Sequence, residues 1–167
     1  GAMAEDSAPE AIAAPALQAG DLEALARGIA AENAHLEQAT QRLREADGQL
    51  ETLAALAEAG GEQMDEIGAE AAGMEVDAFL ARKEALFDVL GKIEMRAMLA
   101  KQFGDMDTSG MDPEMAAQAK RNAEEMMAGA PDPYLGMEPA LAEALHAQES
   151  RLAELRSRQV ALLFSMI

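Results

Sequence analysis

A seven-residue repeat of apolar side chains runs without interruption through the first third of the chain. Its members, called the heptad series below, are Leu22, Ile29, Leu36, Leu43, Leu50 and Ala57. Seven residues are close to two helical turns, so such a repeat keeps one stripe of a helix facing a partner helix. The positions three residues further on include Glu32, Ala39 and Ala46, which make the stripe thin. We therefore predict one long helix from Asp21 to the pair Gly60 and Gly61, packed against other helices.

The composition favours helices throughout the chain. Half of the residues are hydrophobic, but aromatic residues make up only 3 % of the chain. Strong helix formers such as Ala, Leu, Met and Glu dominate, whereas the β-branched and aromatic residues typical of strands are scarce. At 167 residues the chain has the size of one domain. We predict an all-α protein.

Proline, glycine and aspartate mark the ends of the later helices. A second helical pattern covers residues 62–102, with a break expected between Gly73 and Asp77. The Asp112-Pro113 dipeptide is typical of a helix cap and a first helical residue. Pro139 opens the last helix, whose inward positions alternate in spacing between four and three. Those positions are Leu141, Leu145, Gln148, Leu152, Leu155, Gln159, Leu162 and Met166.

Helices joined by short loops pack best as antiparallel neighbours. The predicted fold is an elongated antiparallel helical bundle of about four helices, with a long N-terminal helical hairpin. We expect a single helical-bundle domain over residues 20–167.

The first nineteen residues look like a lead-in to this bundle. Gly1, Ala2 and Met3 are typical of the remnant of a cleaved affinity tag, and residues 4–16 are rich in Ala, Pro and acid. We predict that residues 1–19 are this remnant and a flexible Ala/Pro/acidic tether. Such a tether commonly follows the lipid-modified Cys of an exported lipoprotein. We expect a periplasmic location, as a lipoprotein whose signal segment has been removed.

The charge of the chain excludes nucleic acid as a partner and favours a basic protein. The formal net charge is −18, which repels phosphate groups. Residues 62–77 carry six acids and no base, and these six are called the acidic stretch below. They are Glu62, Asp65, Glu66, Glu70, Glu75 and Asp77. The stretch is either a binding surface for a basic partner or a solvated face that keeps an Ala-rich helix soluble.

The chain lacks the residue patterns of common enzymes. It has no Cys, which excludes disulfides and thiolate chemistry. It has no Gly-rich phosphate loop, and no Ser lies in a recognisable nucleophile motif. We expect a protein that is not an enzyme and that holds no cofactor other than a weakly bound divalent cation.

Two pairs of residues have the spacing of metal ligands. Each of the two histidines follows a Glu by three residues, as Glu32 with His35 and as Glu143 with His146. Glu and His at this spacing share one helical face, as in carboxylate-bridged di-iron bundles. The alternative is that both histidines lie at the surface beside salt-bridge partners.

A loop between two helices resembles the first half of a calcium site. Asp105, Asp107, Ser109 and Gly110 match the D-x-D-x-S-G pattern, but the twelfth position is Ala116 instead of Glu. Calcium loops need that bidentate Glu as a ligand. The loop is therefore either a weak cation site or a polar turn.

Methionine is unusually frequent in this chain, which has twelve. Met106, Met111 and Met115 cluster near the same loop. Thioethers bind soft ions such as Cu(I), so a metal-handling protein is one interpretation. A Met-rich core or an adaptable partner groove is the other.

Two segments of the chain resemble a known group of proteins. Residues 72–86 (AGMEVDAFLARKEAL) and 132–163 (DPYLGMEPALAEALHAQESRLAELRSRQVALL) are similar to segments of small helical lipoproteins of unknown function from GC-rich proteobacteria. The resemblance implies export and lipid anchoring to a membrane. It implies no catalytic residues.

These observations lead to one expected function and two alternatives. We expect a non-enzymatic periplasmic helical binding protein that engages another macromolecule, as an inhibitor or immunity-type partner or as an envelope scaffold. The first alternative is a metal-binding or metal-sensing helical protein. The second is a coiled-coil structural protein that self-assembles through its long helix.

Overall fold

The computed structural model describes residues 17–104, 106–130 and 132–166. These residues form helices joined by loops, which confirms the all-α prediction. No helix within them is long and apolar enough to cross a membrane. In chain order the helices of the described residues are α1 Asp21–Glu45, α2 Gln49–Glu58, α3 Gly61–Ala72, α4 Val76–Gly104, α5 Pro113–Gly129 and α6 Pro139–Phe164.

The chain divides into two compact units. The first unit contains residues 17–87 and 138–166, and the second contains the described residues between 88 and 137. Helix α4 begins in the first unit and ends in the second. The single domain over residues 20–167 stays a prediction, and most of the predicted tether, residues 1–16, lies outside the described residues.

The predicted long first helix is two helices. Helix α1 ends at Glu45 and α2 begins at Gln49, so the prediction of one helix as far as Gly60 is wrong. Gly48, at the break, has a φ of 98°, a backbone conformation that residues other than glycine rarely adopt. The chain reverses at this point because the backbone leaves helical geometry.

Helix α2 returns beside the C-terminal half of α1. His35 Nε2 donates a hydrogen bond to the backbone carbonyl of Glu58, and the Glu58 carboxylate pairs with Arg42. The end of α2 therefore lies beside the middle of α1, and the two helices are antiparallel. The hairpin of α1 and α2 therefore lies within the segment that was predicted to be one helix, and it is not the predicted hairpin of one long helix with the next helical segment.

Helix α3 continues the return along the N-terminal half of α1. Leu36 packs with Met64, and Gly28 lies against the backbone carbonyl of Gly68. Residue numbers fall along α3 as they rise along α1, so these two helices are also antiparallel.

Helix α6 lies parallel to α1. Arg151 pairs with Glu23 at 3.0 Å, and Arg158, about two turns further along α6, pairs with Glu37 at 3.3 Å. The first unit therefore does not have the predicted arrangement, in which each helix runs antiparallel to its neighbours. The arrangement differs because the segment predicted as one long first helix folds back on itself. This adds a chain reversal that the loop lengths did not indicate.

The local signals for helix ends are accurate elsewhere. Helix α3 ends before Gly73, whose φ is 71°, and α4 begins at Val76, so the expected break is confirmed. The Asp112 side chain caps α5 by accepting a hydrogen bond of 2.8 Å from the backbone N–H of Met115. Pro139 is the first residue of α6, as predicted.

The core of the first unit surrounds α1. The first three members of the heptad series are fully buried, whereas Leu50 in α2 is 83 % exposed. The stripe therefore points inward in α1 and outward in α2. The fully buried apolar residues of this unit are Leu22, Leu25, Ala26, Ile29, Leu36, Phe79, Leu86, Leu145 and Leu152.

Candidate functional site

One carboxylate lies in the core of the first unit. Glu32 follows Ile29 by three residues, so helical geometry places it on the buried face of α1. Its side chain has no exposed surface. A buried carboxylate is costly unless it is paired and hydrogen-bonded, so its surroundings have to supply a base and donors.

Two residues from two other helices contact this carboxylate, and a third residue is linked to it through one of them. Lys83 Nζ lies 2.8 Å from Glu32 Oε1, and Gln159 Nε2 donates a hydrogen bond of 3.1 Å to the same oxygen. Gln159 Nε2 also donates to Asn33 Oδ1 at 3.0 Å. Asn33 Nδ2 in turn donates to the backbone carbonyl of Leu155 at 3.1 Å. The four side chains of Glu32, Asn33, Lys83 and Gln159 are called the Glu32 cluster, and they join α1, α4 and α6.

Aromatic rings enclose the base of this cluster. Lys83 Nζ lies 6.0 Å from the ring centroid of Phe79 and 5.3 Å from that of Phe87. The guanidinium carbon of Arg156 lies 5.8 Å from the Phe87 centroid. Cations at these distances from a ring are attracted by its negative face, so the rings help to hold the Lys83 ammonium beside Glu32.

Two glycines allow the helices to approach around the cluster. A Cβ at Gly28 would overlap the Phe79 ring, and a Cβ at Gly68 would lie 2.7 Å from both the Phe79 ring and Glu32 Cγ. Real Cβ atoms do not come this close, so only glycine fits at these two positions. The sequence thus makes room for Phe79 and for the Glu32 stem between α1 and α3.

The environment of Glu32 shifts the pKa of its carboxyl upward. Burial raises the pKa of this carboxyl, while hydrogen bonds and charge from Lys83 and Gln159 oppose the rise and the carboxylate of Asp65 adds to it. Oε2 accepts no hydrogen bond from the described residues. A raised pKa suits an acid or base, but a substrate cannot reach a side chain without exposed surface. The chemical effect of the cluster is to hold three helices together.

His35 and Glu32 were predicted as one ligand pair, but their side chains bind different partners. Its Nε2 donates to the carbonyl of Glu58, whereas Glu32 Oε1 is committed to Lys83 and Gln159. The His35 ring therefore fastens α2 to α1.

The second predicted pair, Glu143 and His146, lies further towards the N-terminus of α6 than the residue that contacts Glu32. Glu143 is exposed, and Nδ1 of His146 lies 3.8 Å from Glu149 on the same helix. Gln159, which contacts Glu32, follows His146 by thirteen residues, or about 20 Å along an α-helix. The structure thus does not bring the two Glu-His pairs together into a di-metal site.

The loop before α5 forms a polar turn in the residues that are described. Asp107 Oδ1 accepts a hydrogen bond of 2.9 Å from the backbone N–H of Ser109. Hydrogen bonds from the Ser109 side chain and backbone hold the pKa of Asp107 below its ordinary value. Asp105 lies outside the described residues. Within the described part of the chain, no three His, Asp or Glu side chains are grouped to hold a metal ion.

The acidic stretch lies along α3 and its turn into α4. Glu66, Glu70, Glu75 and Asp77 line one shallow depression of about 430 Å³. Glu62 is also exposed, whereas Asp65 is half-buried and its charge contributes to the raised pKa of Glu32. The five exposed members are Glu62, Glu66, Glu70, Glu75 and Asp77. Among the described residues none of these five carboxylates forms an ion pair, so their charge is open to solvent.

The second unit has an apolar groove between the end of α4 and α5. Its volume is about 670 Å³, and Ala100, Phe103, Ala116, Ala123 and Met127 are among its lining residues. Of the methionines predicted to cluster, Met106 lines the groove, while Met111 and Met115 are exposed.

Sequence reasoning placed two members of the Glu32 cluster on the inward faces of their helices and missed the other two. Spacing marked Glu32 and Gln159 as inward positions of their helices. Lys83 and Asn33 were not recognised. The available signal was Glu32 itself, because an acid on an apolar stripe requires a base in the same core.

Comparison with protein-family models, with curated proteins and with solved structures finds no match for this chain.

Proposed function

We propose that this chain is a non-enzymatic helical binding protein that engages a basic protein through the acidic stretch along α3 and its turn into α4. The observation that carries the proposal is the depression lined by Glu66, Glu70, Glu75 and Asp77, whose carboxylates form no ion pair with described residues. An uncompensated group of like charges attracts a partner of opposite charge and accelerates its encounter.

The attachment of α3 supports the proposal, because a fixed surface loses less entropy on binding than a mobile one. Close contact at Gly28 and Gly68 holds α3 against α1, and Met64 packs with Leu36 on the same side. The acidic residues therefore project from a helix whose opposite face is packed.

The burial of Glu32 supports the non-enzymatic part of the proposal. This carboxyl has a raised pKa and would be the natural acid or base of an active site. Its complete burial between α1, α4 and α6 leaves no route for a substrate.

A peptide-binding measurement tests the proposal. The probe is a fluorescein-labelled, lysine-rich helical peptide, and its fluorescence anisotropy is followed as protein is added at 50 and 300 mM NaCl. The test variant is Glu66→Gln/Glu70→Gln/Glu75→Gln. The matched control is Glu114→Gln/Glu124→Gln/Glu125→Gln, which removes the same charge from exposed positions on α5.

We expect the test variant to weaken binding by about tenfold at low salt and the control to weaken it by less than about twofold. High salt should weaken wild-type binding because the contacts are between exposed charges. Equal loss in both variants would mean that the peptide senses only net charge, which contradicts a site on α3.

We also propose that the protein resides in the periplasm as a lipid-anchored protein. The composition of residues 4–16 and the resemblance to small proteobacterial lipoproteins support this location. The test is cell fractionation with the native gene, including whatever sequence precedes these residues. Recovery with a cytoplasmic marker contradicts the proposal.

A further inference from the structure

The turn between α1 and α2 contains two neighbouring residues whose groups can react with each other. Asp47 is followed by Gly48, and no other Asp or Asn of the chain is followed by glycine. In such a pair the backbone nitrogen of the glycine can attack the carboxyl of the residue before it, because this closes a five-membered ring. Glycine has no Cβ to shield that nitrogen. The dipeptide therefore supplies both reacting groups, and the fold determines whether they are accessible.

Neither reacting group is held by a hydrogen bond within the described part of the chain. The Gly48 N–H has no acceptor there, and the Asp47 carboxylate has neither a donor nor an ion-pair partner. Both residues are exposed. A Cβ at Gly48 would have no atom within 4 Å apart from those of its two chain neighbours. Solvent therefore reaches this peptide group from the side on which the ring would form.

The other described aspartates outside helices are held. Asp107, Asp112 and Asp132 each accept a hydrogen bond of 2.8–2.9 Å from a backbone N–H two or three residues further on. Such bonds fix the side chain in a local turn or cap. Asp112 and Asp132 also precede proline, whose nitrogen has no hydrogen to lose. Among these four aspartates, only Asp47 has an unbound carboxylate next to an unshielded nitrogen.

We propose that the Asp47-Gly48 turn is a site of spontaneous isomerisation to an isoaspartyl linkage. The Gly48 nitrogen forms a bond to Cγ of the protonated Asp47 carboxyl, whose hydroxyl leaves as water with the hydrogen of the N–H. The product is a succinimide ring. Water then breaks the bond between this nitrogen and the backbone carbonyl carbon of Asp47, which leaves the chain running through Cβ and Cγ.

The two steps balance without a further reactant. One water molecule is released when the ring closes and one is consumed when it opens, so the composition of the chain is unchanged. Opening at Cγ instead restores the ordinary aspartate. The isomerisation involves neither the acidic stretch nor a partner, and it does not depend on the function proposed above.

The isoaspartyl linkage disturbs the bonds with which α2 begins. The Asp47 N–H donates a hydrogen bond of 2.7 Å to the Glu51 carboxylate, and the Gly48 carbonyl accepts from the Thr52 backbone N–H at 3.1 Å and hydroxyl at 2.9 Å. Isomerisation adds one carbon atom to the main chain between these two groups, so both sets of bonds cannot keep their geometry. We expect the first turn of α2 to loosen, while Glu58 still fastens its other end to α1.

Peptide mapping of the aged full chain tests the proposal. The protein is incubated at neutral pH, and its isoaspartate is labelled with an isoaspartyl methyltransferase and located by mass spectrometry. We expect at least about tenfold more isoaspartate at position 47 than at position 107, because glycine leaves the attacking nitrogen unshielded. Asp47→Glu should remove the signal, since glutamate has to close a less favourable six-membered ring. The matched control Asp107→Glu, which also keeps the charge at an exposed position, should retain it.

A synthetic peptide of residues 43–52 measures what the fold contributes. No hydrogen bond of the described residues has to open at Gly48, so the folded chain should isomerise at a rate within about fivefold of the peptide. A folded chain that is slower by more than this overturns the proposal. Equal isoaspartate at positions 47 and 107, none at position 47, or a signal that survives Asp47→Glu also overturns it.

Hydrogen exchange measures the expected effect on α2. The isomerised chain is separated from the unmodified chain by hydrophobic interaction chromatography. The Thr52 amide, which bonds to the Gly48 carbonyl, should lose about tenfold in protection when the first turn opens. The Ala59 amide, which bonds to the carbonyl of Ala55 at the other end of α2, should be unchanged. Equal changes at both amides, or none at either, would overturn the local loosening.

Discussion

Helices α1 and α2 carry the same heptad series and use it in opposite ways. In α1, Leu22, Ile29 and Leu36 are fully buried, whereas Leu50 in α2 is mostly exposed. Only three residues separate the two helices. Both helices thus carry the repeat, but only α1 buries it.

The difference arises from the number of neighbours that each helix has. Helix α1 packs against α2, α3 and α6, and Phe79 and Lys83 of α4 add to its surroundings. Among the described helices, α2 has its main packing against α1. A heptad stripe therefore indicates which side of a helix is apolar, and it does not indicate whether anything covers that side.

The largest expected effect on stability comes from replacing Lys83, the base that pairs with Glu32 on the buried stripe of α1. Lys83→Met leaves Glu32 without its cation, and we expect the free energy of unfolding to fall by about 4 kcal/mol at pH 7. Urea denaturation measures the change. Lys92→Met is the control, because Lys92 pairs with Asp88 at the surface, and it should cost less than about 1 kcal/mol. Similar losses in both variants would contradict a buried pair.

The most direct comparison truncates one leucine of the heptad series in each helix. Leu36→Ala opens a cavity beside Met64 and Leu162, and we expect a loss of about 3 kcal/mol in unfolding free energy. Leu50→Ala removes an exposed side chain and should change it by less than about 0.5 kcal/mol at low protein concentration. Chemical denaturation of both variants measures the two changes in unfolding free energy. Equal losses would show that Leu50 in α2 is packed as tightly as Leu36 in α1.

A smaller effect is expected where α1 meets Phe79. Gly28→Ala places a Cβ against the Phe79 ring, and overpacking of this kind costs about 1–3 kcal/mol. Gly61→Ala is the matched control, because a Cβ there has open space. It should be neutral or stabilising by about 0.5 kcal/mol. Thermal unfolding followed by circular dichroism compares the two, and a harmless Gly28→Ala contradicts the close contact.

The smallest expected effect is a difference in pH dependence. Since burial raises the pKa of Glu32 in the folded chain, its contribution to stability is complete below the ordinary value of 4.5 and is lost as pH rises through the raised pKa. Relative to Glu32→Gln, the wild type should therefore lose unfolding free energy with increasing pH, by at most about 1.4 kcal/mol per pH unit.

Urea denaturation of the wild type and Glu32→Gln between pH 4.5 and pH 8 measures this slope. Other carboxyls titrate in both proteins, so their contributions cancel in the difference. A difference between wild type and Glu32→Gln that rises with pH would overturn the assigned direction.

Much of the fold follows from local sequence signals. Gly73, the Asp112-Pro113 dipeptide and Pro139 mark helix ends because they act on their own backbone, through positive φ, side-chain capping and a missing N–H. A local signal for the break between α1 and α2 is the Asp47-Gly48 dipeptide, which is typical of turns. The prediction of one long helix rested on the heptad series and did not use this signal, and a periodic pattern carries no information about a reversal between its repeats.

The candidate site was less predictable. Helical spacing identified Glu32 as an inward acid, but its donor Gln159 is 127 residues away in sequence. Nothing in local periodicity pairs these two residues or brings Lys83 beside them. The depression formed by Glu66, Glu70, Glu75 and Asp77 likewise depends on the turn between α3 and α4.

The sequence by itself determined the all-α class, most helix ends and the apolar side of each helix, because these depend on backbone geometry over a few neighbouring residues. The tertiary structure alone decided that the heptad series is buried in α1 and exposed in α2, and that Lys83 neutralises Glu32. Burial and ion pairing depend on which distant segments the turns bring together, and the reversal at Gly48 turned one half of the stripe away from the core.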